Sequence, residues 1–232
     1  AARKKGLPAA MQDRLHLADK TFRSMIDGLR TVARLDAPLG CTYDERTRPN
    51  GLRIYKVKAP IGVVALIYES RPNVTVDAAA ICLKSQNAVV LRGGSEAFHS
   101  NKVLARLFSR ALADAGLPRE AVGFIPTTDR SAVDLLLARD DLVDLVIPRG
   151  GEGLIRRVVE KARMPVIKHY RGVCHVFVSA HADMRTAVPI VVNAKTQRPG
   201  VCNAMETLLL DRALAEKNKK ALLKALTAEG VE

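Results

Sequence analysis

The chain has no tryptophan, and its aromatic residues amount to only 4%. That scarcity bears on its charge, which is formally +13 from 37 Lys and Arg against 24 Asp and Glu. A basic balance raises the question of nucleic acid, but few aromatics, no nucleic-acid motif and no block of five or six like charges point instead to a basic surface or a site for small anions. Cysteine is sparse as well. Cys41, Cys82, Cys174 and Cys202 form no C-x-x-C pair, which argues against a disulfide framework or a zinc site and suits a reducing compartment. No apolar run is long enough to cross a bilayer. The opening stretch AARKKGLPAAMQDRL is basic without an apolar core, so it is not a secretory signal. It also lacks an initiator Met, and the expectation is that residue 1 is not the natural start. What remains is an ordinary globular composition, 48% hydrophobic and 26% charged over 232 residues, with no internal repeat.

Periodicity gives the elements. Met11, Leu15, Ala18, Phe22, Met25, Ile26, Leu29 and Val32 recur at gaps of three and four, predicting one helical face from Met11 to Val32. Pro49-Asn50-Gly51 marks a turn, and Leu52, Ile54, Tyr55 and Val57 predict a strand after it, paired with the stretch before and solvated along Arg53, Lys56 and Lys58. From Gly62 short apolar runs alternate with helical patterns. GVVALIY, NAVVLR, VGFIP, LVDLVIP and PVIKH predict strands. VDAAAICLK, Phe98 to Ala115, Ser131 to Ala138 and Leu154 to Ala162 predict helices. Such alternation predicts a parallel sheet with helices on its faces and a ligand at the strand carboxyl ends. A second arrangement begins near His169: the strand CHVFVS, a helix from Met184 to Ala194, a loop, the strand TLLL, and a Lys-rich helix from Arg212 to Thr227. The expected division is 1–168 and 169–232, the second part being an α/β domain only begun.

Two corners repeat Arg-Gly-Gly, at Arg92-Gly93-Gly94 and Arg149-Gly150-Gly151. Each is read as ending a buried strand and opening a helix. Glycine lets backbone approach a ligand, helix-start N–H groups favour anions, and arginine offers a fork to phosphate. Ser95 and Glu96 then serve as cap and first-turn acid, or Glu96 bonds a ribose hydroxyl. The alternative is that the glycines simply make tight turns. Neither corner matches G-x-G-x-x-G.

The stretch AKTQRPGVCNAMETLLL places Cys202 after a Pro199-Gly200 break, on a loop near Lys195 and Arg198. Positive charge raises a thiol's thiolate fraction, so Cys202 is either a nucleophile or a small buried hydrophobe. Cys82 and Cys174, in apolar segments, are expected to be core filler.

Three segments, YESRPNVTVDAAAICLKSQNAVVLRGGSEA, DLVIPRGGEGLIRRV and VVNAKTQRPGVCNAMETLL, closely resemble the gamma-glutamyl phosphate reductase family of the aldehyde dehydrogenase superfamily. The likeness runs from about Arg14 to Leu210. It implies a Rossmann-like parallel-sheet cofactor domain followed by the start of a second α/β catalytic domain. It implies NADPH-dependent reduction of L-glutamate 5-phosphate to L-glutamate 5-semialdehyde and phosphate, a step of proline biosynthesis, in the cytoplasm or, in a eukaryote, in mitochondria. By position, Cys202 matches the family nucleophile and Asn73 the asparagine that helps hold the oxyanion. Arg92 matches a lysine that contacts the adenosine ribose, and Gly150 and Gly151 match the loop beneath the cofactor pyrophosphate. Glu96 falls one position beyond the superfamily acid. With these go Gly93, Gly94, Ser95 and Arg149 around the cofactor, and Arg71, Lys195 and Arg198 as candidates for the substrate phosphate or carboxylate, the alternative for each being an ordinary surface cation. No metal is implied. The partners implied are an acyl phosphate substrate and other copies of the full-length enzyme, with neither nucleic acid nor membrane. By eye, His169 stands near the acid that activates water in aldehyde oxidation, which suits a reductase. The chain is expected to be truncated at both ends, which leaves an inactive fragment of the same fold, or an aldehyde-oxidising relative, as the alternative readings.

Overall fold

The structure, a computed structural model, describes residue 15 and residues 17–69, 72–169, 172–199 and 201–231. It divides into two units, Ala1–His169 and Tyr170–Glu232. In the first, helix α1 spans Asp19–Arg34. The helix predicted from Met11 to Val32 is interrupted: Leu15 is helical, but Leu17 and Ala18 are not and Ala18 is extended (ψ 159), so α1 starts at Asp19; Met11 lies outside the described residues. Met25 is the buried anchor of α1. The hairpin follows, β1 (Thr42–Thr47) antiparallel to β2 (Arg53–Val57), closed by a Gly51 turn at φ +83. Every residue of both strands is exposed, on the apolar face as well as the basic one.

The sheet comes next. It uses β3 (Val63–Tyr68), β4 (Ala88–Gly93), β5 (Val122–Phe124) and β6 (Leu145–Arg149), interleaved with α2 (Pro72–Lys84), α3 (Phe98–Asp114), α4 (Ser131–Leu137) and α5 (Glu152–Lys161). All pairings are parallel, in the order β5-β4-β3-β6. Period-two alternation along β3 explains the layering. Val64, Leu66 and Tyr68 point into a core shared with Ala79 and Cys82 of α2 and Leu112 of α3. Ala65 and Ile67 point to the other face, against Val133 and Leu137 of α4 and Val158 of α5. A strand buried on both sides must be apolar throughout, and each large side chain removed from water there contributes about 1.5–3 kcal/mol. α1 packs outside α2 and α3 through Met25, Val76 and Leu104. The predicted strand PVIKH is no more than an isolated bridge, Val166 to Val146. The chain leaves β5 on one edge and returns to the far side of β3 as β6, so the strand order reverses between β3 and β6. Crevices at such reversals are where open α/β sheets take ligands.

In the second unit β7 (His175–Val178) and β8 (Thr207–Leu210) pair in parallel around α6 (Met184–Thr196), and α7 (Glu216–Ala228) closes the core. Val178, Val191, Met205, Leu214, Leu222 and Leu226 fill it. Asp183 caps α6 by accepting from the Arg185 N–H at 3.0 Å. The last helix begins at Glu216, not Arg212, because Asp211 draws the chain into a turn by accepting from Ala213 N and Ala180 N.

Candidate functional site

A pocket of about 450 Å³ opens at the carboxyl ends of β3, β4 and β6, with Tyr68, Glu69, Arg92, Glu96, Arg130 and Arg157 among its walls. Its floor is Arg92, only 8% exposed. One guanidinium nitrogen donates to Gly93 O at 3.2 Å; the other donates to Thr128 O at 3.1 Å and Asp129 O at 3.2 Å. The Nε–H is buried without a partner. Burial pulls the Arg92 pKa down, Glu96 pushes it up, and the neighbouring Arg130 and Arg157 pull it down again. A buried cation with an unused donor is a costly arrangement unless an acceptor arrives.

The two Arg-Gly-Gly corners differ in use. The first does not open a helix, since a turn intervenes and α3 starts only at Phe98 behind an Ala97 cap. The cap reading of Ser95 is therefore corrected: its hydroxyl reaches Glu96 Oε2 at 3.4 Å and no backbone N–H of α3. Gly93 is also needed for packing, because a Cβ there would collide with Asn101 Nδ2. Gly94 lines the pocket against the Glu96 carboxylate. The second corner behaves as expected: Arg149 ends β6 and Gly151 is the N-cap of α5. A Cβ on Gly150 would meet Glu69 Oε2 at 2.6 Å and Leu154 Cδ2 at 2.7 Å. The Gly151 N–H, free to bind an anion in principle, donates to Glu69 Oε2 at 2.9 Å.

Beneath the first corner runs a buried chain. Thr75 donates to Asn101 Oδ1 at 3.1 Å, and because its single proton is used there, Tyr68 must donate to Thr75 Oγ1 at 2.6 Å. Burial pushes the Tyr68 hydroxyl up to about 12, with the Thr75 bond opposing it. The chain ties the end of β3 to α2 and α3 directly below Gly93. Asn73 stands in the first turn of α2, half-buried, and its Nδ2 donates to Asp77 Oδ2 at 3.3 Å. Burial raises the Asp77 carboxyl, and that bond lowers it.

Cys202 is exposed, in the turn that follows α6. Its loop is pinned from several sides. Val201 N donates to Arg198 O at 3.2 Å and Met205 N to Ala194 O at 2.8 Å. Lys195 Nζ donates to Met205 O at 3.2 Å, so this cation holds the loop. Cys174, expected in the core, is instead half-buried and donates its thiol to Cys202 O at 3.4 Å. Cys82 is core, and burial raises its thiol. Arg198 is exposed, and Arg71 lies outside the described residues. Glu69, Arg130 and the Asp134–Arg157 pair were not singled out in the sequence; only the position of Glu69 just after a buried strand marked it. Among the described residues no group of three or more His, Cys, Asp or Glu could hold a metal ion, and no helix is long and apolar enough to cross a membrane.

The profile of the aldehyde dehydrogenase family matches residues 10–231. A gamma-glutamyl phosphate reductase of Desulforapulum autotrophicum is 55% identical over 232 residues, all of this chain and 56% of that protein. One of Moorella thermoacetica is 56% identical over 231 residues, all of this chain and 55% of its own length. The crystal structure of gamma-glutamyl phosphate reductase from Thermotoga maritima superposes with a TM-score of 0.92 at 44% identity, covering the whole chain and 56% of that one. The chain thus spans little more than half the length of the curated relatives it matches.

Proposed function

We propose, from the premise that this chain belongs to the aldehyde dehydrogenase family, that it carries the nucleophile and the cofactor pocket of an NADPH-dependent acyl phosphate reductase acting on L-glutamate 5-phosphate in proline biosynthesis. The observation that carries the reading is Cys202, an exposed thiol on a turn whose backbone is held by Lys195, Ala194 and Cys174. A nucleophile needs access to its substrate and a fixed attack direction, and this loop has both.

The Cys202 thiolate attacks the acyl phosphate carbon, the C–O bond to phosphate breaks, and a thioester remains on Cys202. The Asn73 amide and a backbone N–H at Cys202 stabilise the oxyanion by directed donation. Asn73 has two amide protons and spends one on Asp77, so one is left for this work. Phosphate leaves readily, so no strong general acid is required. Arg198 and Arg71 are assigned to the substrate's phosphate or carboxylate, and Lys195 both to that role and to the loop. Residues 1–168 are assigned to the cofactor and 169–232 to the catalytic domain.

The pocket residues fit a nicotinamide dinucleotide. Arg92 Nε lacks an acceptor, Gly94 lines the pocket without a side chain, and the Gly151 N–H heads α5 beside the pocket residue Glu69. Arg92, Gly93, Gly94, Ser95 and Glu96 would face its adenosine side, Arg149, Gly150 and Gly151 its pyrophosphate. When bound, this cofactor supplies the hydride that reduces the thioester to the aldehyde. The test is phosphate-dependent reduction of NADP⁺ by glutamate 5-semialdehyde in the protein carrying this chain: Cys202→Ala abolishes it, and retained turnover would discard the nucleophile assignment.

A further inference from the structure

We propose that Arg130 binds a phosphate on the 2′ position of the cofactor's adenosine and thereby sets the preference for the phosphorylated dinucleotide; this rests on the cofactor reading of the pocket. The argument is an inventory of charge around the pocket. Arg157 is spent: it grips Asp134 in a two-pronged pair at 3.1 and 2.8 Å, and Lys161 adds a third bond to the same carboxylate at 2.6 Å. Glu69 is spent on Gly151 N–H. Glu96 acts on Arg92 and offsets its charge. Asp129 is turned away to Ser131 N at 2.9 Å and Ser131 Oγ at 2.6 Å. Arg130 lines the pocket, is exposed, and has no acidic side chain paired with it among the described residues. Among the described residues of the pocket lining it is the surplus cation.

Its position is also fixed. Arg92 clamps the carbonyls of Thr128 and Asp129, the two residues before Arg130, so the floor guanidinium holds the backbone of the wall. A ligand oxygen there meets the open fork of Arg130, with the buried positive charge of Arg92 in the same pocket. That suits a dianionic phosphate better than a hydroxyl. The other anion-binding feature, the N-terminus of α5, stands on the β6 side of the pocket, while Arg130 follows β5 across the sheet. Two separated anion positions match a dinucleotide carrying both a pyrophosphate and a 2′-phosphate.

Calorimetric titration of the protein carrying this chain with adenosine 2′,5′-bisphosphate and with 5′-AMP tests this. Arg130→Ala is expected to weaken the bisphosphate about ten- to a hundredfold, the scale of a charge-assisted contact, and 5′-AMP less than about twofold. Arg130→Lys, which keeps charge without the fork, should fall between. Arg130 is exposed, so circular dichroism of both variants should match the parent. Equal losses on both probes, or no loss on either, overturn the Arg130 assignment and leave the pocket reading standing. Failure of the unsubstituted protein to bind either probe overturns both.

Discussion

Thr75→Val separates hydrogen bonding from packing under the first Arg-Gly-Gly corner. Thr75 is fully buried, and valine matches its shape while removing the one oxygen that joins Tyr68 to Asn101. The Tyr68 hydroxyl then has no acceptor and Asn101 Oδ1 no donor. Each buried group left without a partner costs about 1–3 kcal/mol, reduced by the easier desolvation of valine, so the net loss is about 2–4 kcal/mol. Asn101 cannot compensate by rotating its amide, since its Nδ2 is already unpartnered and hemmed in by Gly93. The control is Thr75→Ser, which keeps the hydroxyl and deletes one buried methyl at about 1 kcal/mol. For a unit of this size that corresponds to a Tm fall of about 5–12 °C for the valine and about 2–4 °C for the serine variant. Scanning calorimetry with urea unfolding measures both. If valine proves as stable as serine or more so, the polar chain contributes nothing and the reasoning fails. The functional corollary is that the corner loosens: the valine variant should bind 5′-AMP more weakly although Thr75 lines no part of the pocket.

Other expectations follow from the same geometry. In an absorbance titration Tyr68 should ionise near pH 12, and Tyr68→Phe should remove that late phase. The fold holds the neutral phenol, so its contribution is complete below pH 10 and is lost as pH rises toward 12, which alkaline unfolding curves of parent and Tyr68→Phe should show. Gly93→Ala should destabilise the first unit by about 2 kcal/mol or more, because the new methyl meets buried Asn101; an unchanged urea midpoint would count against the packing described. Glu69→Gln should tighten NADPH binding about two- to fivefold at low salt by removing a competing carboxylate; weaker binding would instead mean that Glu69 positions the ligand.

Much of the fold was legible in the sequence because burial on two faces leaves a local signature. VVALIY can only be a central strand, and the alternation from Gly62 onward set the parallel sheet. The misreadings have a common cause. Ser95 has the composition of a cap, but capping depends on where the helix starts, and the turn after Gly94 delays that to Phe98. PVIKH has strand composition, yet pairing needs a neighbour in register, and only Val166 finds one. Cys174 sits in an apolar segment, but its thiol faces a loop 28 residues away. The charges around the pocket were illegible for the same reason: Glu69 reaches Gly151 across 82 positions, and Arg157 meets Asp134 across 23. Glycine was ambiguous for a different one. The missing Cβ of Gly93 makes room for Asn101 and that of Gly150 for Glu69 and Leu154, and a single letter does not say that the space goes to a side chain and not to a ligand.

The carboxylate of Glu69 at the head of α5 has a thermodynamic consequence. A helix terminus open to solvent gathers counterions that are released when a phosphate binds, which makes affinity fall steeply with salt. Here the terminus carries its own tethered counterion. A phosphate reaching Gly151 would exchange one anion for another, and the displaced carboxylate would swing into water without leaving the molecule. Less mobile salt is then released per phosphate bound, so the pyrophosphate end of a ligand should be less sensitive to ionic strength than the end at Arg130, where no carboxylate among the described residues pairs with the arginine and the gathered ions are free to leave.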